Sequence, residues 1–255
     1  MKYSFIVPTY NRAKIVVNTL DSVLKQNYKN YEIIVVDDAS TDNTREVISK
    51  YIETNSCIKY FLLDKNSGAN IAKNTGSKYA SGEYLIFLDS DDKLIDSDSL
   101  SLINEENLSF DYPKILMFAC KNLDNALTIS NINFTGLVGY KEYFKDMFKG
   151  EYLPIVNREF FYNNMFFEDI NGGEGITWKR LSIKANHIYI SSTVVRLYDN
   201  TGIDRLSFIN KNNCKRIRDV FVKDLRVNFF DYLNIYPQGI FSTLIRIAYY
   251  SLRSI

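Results

Sequence analysis

YLIFLDSDD, residues 84–92, decides the fold. Tyr84–Leu88 is an unbroken apolar run, so both of its faces need burial. Such runs are strands of a parallel sheet covered by helices on both sides. The run stops at Asp89, Ser90, Asp91 and Asp92. Three carboxylates at one strand end repel one another unless a cation or a hydrogen-bonding ligand offsets them. Wound α/β sheets bind ligands outside the carboxyl ends of their strands, so these acids stand where a ligand is expected. A hard dication with oxygen ligands suits them, since Mg²⁺ holds few protein carboxylates and fills its shell with substrate phosphates. The plain alternative is a solvated acidic turn that caps the next helix.

Upstream, the apolar run recurs at Tyr3–Val7, Tyr31–Val36 and Ile58–Leu63. Helical periodicity fills the gaps. Residues 11–26 place Ile15, Leu20, Val23 and Leu24 on one face, with Asn11 as the expected cap. A helix after Asp42 turns Val47, Ile48, Tyr51 and Ile52 inward, and residues 69–80 form a third helix. Strand–helix alternation at this spacing predicts βαβ units with right-handed crossovers. Downstream the pattern loosens. Residues 97–108 and 139–148 read as helices and 114–120 as a strand. NGGEG (171–175) is a tight glycine loop, followed by a helix over about 176–185 and strands over 187–190 and 194–198.

The chain has 255 residues, 46% hydrophobic and 24% charged, which is globular usage. A net charge of +1 excludes a globally basic nucleic-acid binder. Cys57, Cys120 and Cys214 form no CxxC pair, so neither a zinc site nor a disulfide framework is expected. Reduced thiols in a cytoplasmic protein are the simpler reading. Pro8 interrupts the first apolar run, which is too short for a signal peptide. No stretch reaches the ~20 apolar residues of a membrane span. Residues 205–255 hold nine Lys/Arg against three Asp/Glu, whereas the first 204 hold 22 against 27. Residues 237–255 are apolar with Arg246 and Arg253. A basic amphipathic helix of this kind lies on an anionic membrane surface or packs on the protein's own core.

Other strand ends also carry chemistry. One of Asp37 and Asp38 can accept from a ring N–H or a ribose hydroxyl, and Tyr10 can stack on a base. Lys73 can meet phosphate as a point charge. GxxxxGK[ST] and GxGxxG are both absent, which argues against a P-loop NTPase and a Rossmann dehydrogenase. His187, the one histidine, reads as structural, and Trp178 reads as a core residue ahead of a sugar platform.

PTYNR (8–12), VVDDASTDNT (35–44), NSGANIAKNTG (66–76) and YLIFLDSDD (84–92), taken together, strongly resemble family-2 glycosyltransferases. The resemblance is close over about residues 3–100 and weaker to about Ser207. It implies a GT-A-like, Rossmann-like α/β fold, a mostly parallel sheet flanked by helices. Residues 1–206 would form this domain, with a nucleotide-binding half to about residue 100 and an acceptor-binding half to 206. Residues 207–255 would form a basic helical C-terminal annex.

The resemblance further implies inverting transfer from a nucleotide-diphospho-sugar, UDP favoured, to a hydroxyl of a glycan or lipid-linked glycan. Bacterial surface polysaccharide synthesis is the setting it implies, on the cytoplasmic side and peripheral to the inner face of the plasma membrane. Carried over by position, Pro8 and Tyr10 line the base pocket, Asp38 bonds the base and Lys73 lies near base or phosphates. Asp89 holds ribose and Asp91 binds Mn²⁺ or Mg²⁺. Asn11, Arg12 and Ser90 complete the donor set, and Arg205 clamps the diphosphate. Relatives usually take their general base from the Asp of an ED pair. Glu168-Asp169 is a literal ED, but Gly173-Glu174-Gly175 has the family's glycine-loop context. Glu174 is therefore preferred to Asp169, although glycine stands where the usual Asp would be. A nucleotidyltransferase remains the competing enzyme, and a catalytically inactive nucleotide- or glycan-binding module the competing non-enzyme.

Overall fold

The computed structural model describes residues 1–254 except 125–127, 131–132, 146–147, 149 and 200–210, and the backbone but not the side chains of 211–212. Four parallel strands, β1 (Tyr3–Thr9), β2 (Tyr31–Asp37), β3 (Ile58–Leu62) and β4 (Tyr84–Phe87), lie in the order β3-β2-β1-β4. Helices α1 (Val16–Leu24), α2 (Thr44–Thr54) and α3 (Ala69–Tyr79) connect them. Alternate residues of each central strand feed opposite cores. Phe5, Val7, Ile33 and Val35 join one cluster, and Ile6, Ile34 and Val36 the other. This two-sided burial is why the runs lack polar alternation.

The sheet continues through β8 (Tyr152–Asn157), antiparallel to β4. Next come β6 (Ile115–Asn122), antiparallel to β8, and β9 (His187–Tyr198), parallel to β6. β5 (Lys93–Leu94) and β7 (Gly136–Gly139) pair antiparallel with β9. Helices α4 (Ser99–Ser109), α5 (Tyr140–Phe144), α6 (Arg158–Tyr162) and α7 (Glu174–Ala185) surround this second half. A hairpin of α8 (Lys211–Ile235) and α9 (Pro237–Arg253) follows. It docks on α7, where Lys179 Nζ lies 3.2 Å from Asp224 Oδ2 and 2.7 Å from Tyr232 Oη.

The structure differs from the sequence reading in four places. Asn11 is not a cap: α1 starts at Val16 with no side-chain cap. The two strands expected within 187–198 are one, with irregular register against Phe118–Cys120. The helix expected over 139–148 closes after Phe144. β5, β7, β8 and α6 were not anticipated. The expected domain boundary at 206/207 lies outside the described residues.

Candidate active site

The carboxyl ends of β1, β2 and β4, the first turn of α3, the start of α7 and the end of β9 enclose one cleft of about 430 Å³. Of the residues picked from sequence, Pro8, Tyr10, Arg12, Asp38, Lys73, Asp89, Ser90, Asp91 and Glu174 line it. Thr9, Gly68, Asn171, Glu151, Arg196, Tyr198 and Asp199 line it too. Two of the remaining picks lie elsewhere. Asn11 sits at φ +52°, and its Oδ1 accepts from Thr41 N at 2.8 Å, tying the β1–α1 loop to the β2–α2 loop. Asp169 is outside the lining, exposed, and paired with Lys223 Nζ at 2.6 Å, which holds its carboxyl below the usual range. Arg205 lies outside the described residues.

At the β2 end the two acids divide their work. Asp37 accepts from Tyr60 Oη at 2.7 Å and Ser40 N at 2.8 Å, so it is committed to the scaffold. Asp38 faces the cleft, its oxygens accepting from Ser67 N at 2.6 Å and Gly68 N at 2.7 Å. Gly68 has φ +93°, which favours glycine, and a Cβ there would press within 3.2 Å of the Asn171 side-chain oxygen.

Lys73 is the hub. Its buried Nζ lies 2.9 Å from Asp89 Oδ1 and 2.7 Å from Glu174 Oε1, joining the first half of the chain to the second. Burial opposes its charge, but the two carboxylates outweigh burial and raise its pKa. Burial likewise opposes the charge on Asp89, and Lys73 overturns this, holding that carboxyl down. Asp91 is left differently. Burial and the Asp89 charge raise its pKa, and Arg12 Nη2 stands off at 4.0 Å. Asp92 is not among the lining residues; it pairs with Arg196 Nη1 at 3.2 Å, and burial with Asp89 and Asp91 pushes its pKa up to about 7.

Sequence reasoning missed two sets of residues. Asn70 Nδ2 donates to the carbonyls of Phe167 (2.8 Å), Ile170 (3.2 Å) and Gly172 (3.0 Å). Asn74 Nδ2 donates to the Phe166 carbonyl at 2.9 Å and its Oδ1 accepts from Phe166 N at 3.0 Å. One face of α3 thereby fixes the loop that delivers Glu174. Arg196, nearly fully buried, donates from Nε to Cys120 Sγ at 3.0 Å and borders the cleft beside Glu151. Trp178 packs among Phe87, Phe161 and Phe166, as a core residue.

Among the described residues, no three His, Cys, Asp or Glu side chains gather as a complete metal set. The cleft nevertheless fits a hard dication held jointly with a ligand. Asp89 is neutralised by Lys73, whereas Asp91 keeps a destabilised carboxylate facing the same space. One carboxylate plus diphosphate oxygens is a donor set of the kind Mg²⁺ accepts.

Residues 4–117 match the family model described as Glycosyl transferase family 2. Over 201 residues the chain is 30% identical to a GalNAc(5)-diNAcBac-PP-undecaprenol beta-1,3-glucosyltransferase of Campylobacter jejuni, covering 77% of this chain and 65% of that protein. The chain thus spans just under two thirds of that relative. Crystalline S. aureus TarS 1-349 in complex with UDP-GlcNAc superposes with a TM-score of 0.72 at 23% identity, covering 88% of this chain and 67% of that one. The mannosyltransferase PcManGT of Pyrobaculum calidifontis, solved with GDP-Man and Mn²⁺, gives 0.66 at 19% identity, over 98% and 73% of the two chains. Both structures share the GT-A fold with this protein.

Proposed function

We propose, from the match of residues 4–117 to the model described as Glycosyl transferase family 2, that the protein is an inverting transferase of that family. It moves a sugar from a nucleotide-diphospho-sugar, UDP favoured, to a hydroxyl of a glycan or lipid-linked glycan. The setting is bacterial surface polysaccharide synthesis, on the inner face of the plasma membrane. One observation carries the reading. A single cleft presents Asp38 beyond the end of β2 and Asp89 and Asp91 beyond the end of β4, with Glu174 joined to Asp89 through Lys73. The family match and the lipid-linked acceptor of the Campylobacter relative support it.

The chemistry follows from the placement. Pro8 and Tyr10 border the space for the base, and Asp38 has lone pairs left for a ring N–H. The acceptor oxygen attacks the anomeric carbon as the bond from that carbon to the diphosphate oxygen breaks, with the electron pair leaving on the nucleoside diphosphate. Glu174 takes the hydroxyl proton. Lys73 holds the Glu174 carboxylate toward the cleft, and Asn70 and Asn74 hold the loop that carries it. Asp91 would hold Mn²⁺ or Mg²⁺, which supplies positive charge against the departing diphosphate.

Turnover of labelled nucleotide-sugars tests the transfer, because a binding module consumes no donor. Calorimetry with UDP tests the site. Wild-type affinity is expected to rise with Mn²⁺, and Asp91→Asn to remove that rise. Equal affinity with and without Mn²⁺ in the wild type would refute the metal role.

A further inference from the structure

We infer that the outer face of the α8–α9 hairpin is a docking surface for an anionic lipid bilayer. α9 is apolar on two opposite sides. On one, Gly239 and Thr243 are buried and Tyr250 stacks on Phe221 of α8 at 5.9 Å. At 3.6 residues per turn, Phe241, Ile245, Ala248 and Leu252 fall on the other side. There Phe241, Ile245 and Leu252 are 70%, 69% and 76% exposed. An apolar helix face is normally buried, and only one of the two apolar faces of α9 is covered. Near the hairpin turn, just past its non-helical Asn228, α8 adds exposed Phe230 (76%) and Leu233.

Charge selects the occupant. Residues 211–255 carry eight Lys/Arg and three Asp. Two of the acids are already matched, Asp219 by Arg218 at 2.7 Å and Asp224 by Lys179 at 3.2 Å. α9 also carries Arg246 and Arg253, lying over the rings of Phe221 and Tyr249 at 5.3 and 4.6 Å, respectively. A second copy would set this positive surface against another. An anionic leaflet offers opposite charge above and hydrocarbon below, the pairing that basic amphipathic helices use. The stripe from 241 to 252 runs about 16 Å at 1.5 Å per residue. It can lie along a headgroup boundary, and no described helix is long and apolar enough to cross a membrane.

The hairpin is also bolted to the cleft. Arg216 Nη1 donates to the Asn171 carbonyl at 3.1 Å, and Lys223 pairs with Asp169. Docking would therefore fix the height of the cleft rim above the lipid. The surface rests on exposure and charge, and it stands whether or not the proposed transfer is correct.

The test is co-sedimentation of the full chain with vesicles of phosphatidylcholine alone or mixed with phosphatidylglycerol. Binding is expected only with phosphatidylglycerol, and to weaken with salt. The triple variant Phe241→Ser, Ile245→Ser, Leu252→Ser is expected to lower the partition coefficient about tenfold or more while keeping the wild-type circular dichroism. Should it not fold, the single variant Phe241→Trp replaces it. The emission of the introduced indole is expected to shift to the blue and be quenched by brominated lipid, a response the buried Trp178 does not give. A wild type that ignores anionic vesicles overturns the inference, as does a folded triple variant that binds equally well or a Phe241→Trp variant whose emission brominated lipid leaves unquenched. A dimer in ultracentrifugation that the triple variant dissolves, without vesicle binding, assigns the face to a second copy and also overturns it. No arm reads sugar transfer, so failure here and failure of the proposed reaction are separate results.

Discussion

Glu174 and Asp169 show how position divides two acids five residues apart. Glu174 shares Lys73 with Asp89 inside the cleft, and Asp169 faces Lys223 outside its lining. Glu174→Gln is expected to cut kcat by about 10²–10⁴ while UDP affinity stays within about threefold, by initial rates and calorimetry. Asp169→Asn is expected to leave kcat within about threefold, because it removes only an exposed pair. The strand-end acids were legible in sequence because a buried run ending in carboxylates is locally abnormal. Asn70, Asn74 and Arg196 were not. Asn70 and Asn74 find their partners 92 to 102 residues away, and Arg196 finds Cys120 76 residues away, so no local pattern announces them. The lack of a side chain at Gly175 is equally open: a Cβ there would meet nothing within 4 Å, so packing does not demand glycine.

The elements of the first 90 residues were legible because each apolar run is short, two-sided and followed by a helical period. β8 was not, because Pro154 interrupts YLPIVN and argues against a central strand. It is placed by its neighbours, Ile155 and Val156 pairing with Ile86 and Leu85 of β4. The contact of α3 with the sheet gives a prediction. A Cβ at Gly76 would lie 2.7 Å from Ile6 Cγ2 and 3.1 Å from Val36 Cγ2. Gly76→Val is expected to destabilise the protein by about 1–3 kcal/mol through overpacking, read from the midpoint of urea unfolding. It should also loosen the grip of α3 on the Glu174 loop.

For the whole molecule, acid stability follows from Glu32, buried where β1, β2 and β3 meet. Burial opposes its charge, yet Lys59 at 2.9 Å, Ser4 Oγ at 2.7 Å and Ser81 N at 2.6 Å hold its pKa down at about 2. A lowered folded pKa means that stability is present above the ordinary value of 4.5 and is lost as pH falls toward 2. Glu32→Gln is expected to lose about 1–2 kcal/mol at pH 7, and the gap from wild type to close between about pH 4.5 and 2 in thermal melts. The order of strands carries a different consequence. β4 is made before residue 90 but finds its outer neighbour only at 152–157. During synthesis the ribosome must therefore deliver some sixty further residues while a hydrophobic ladder of unmet amides waits. The nascent chain is most open to wrong pairing in that interval, and β8 ends it.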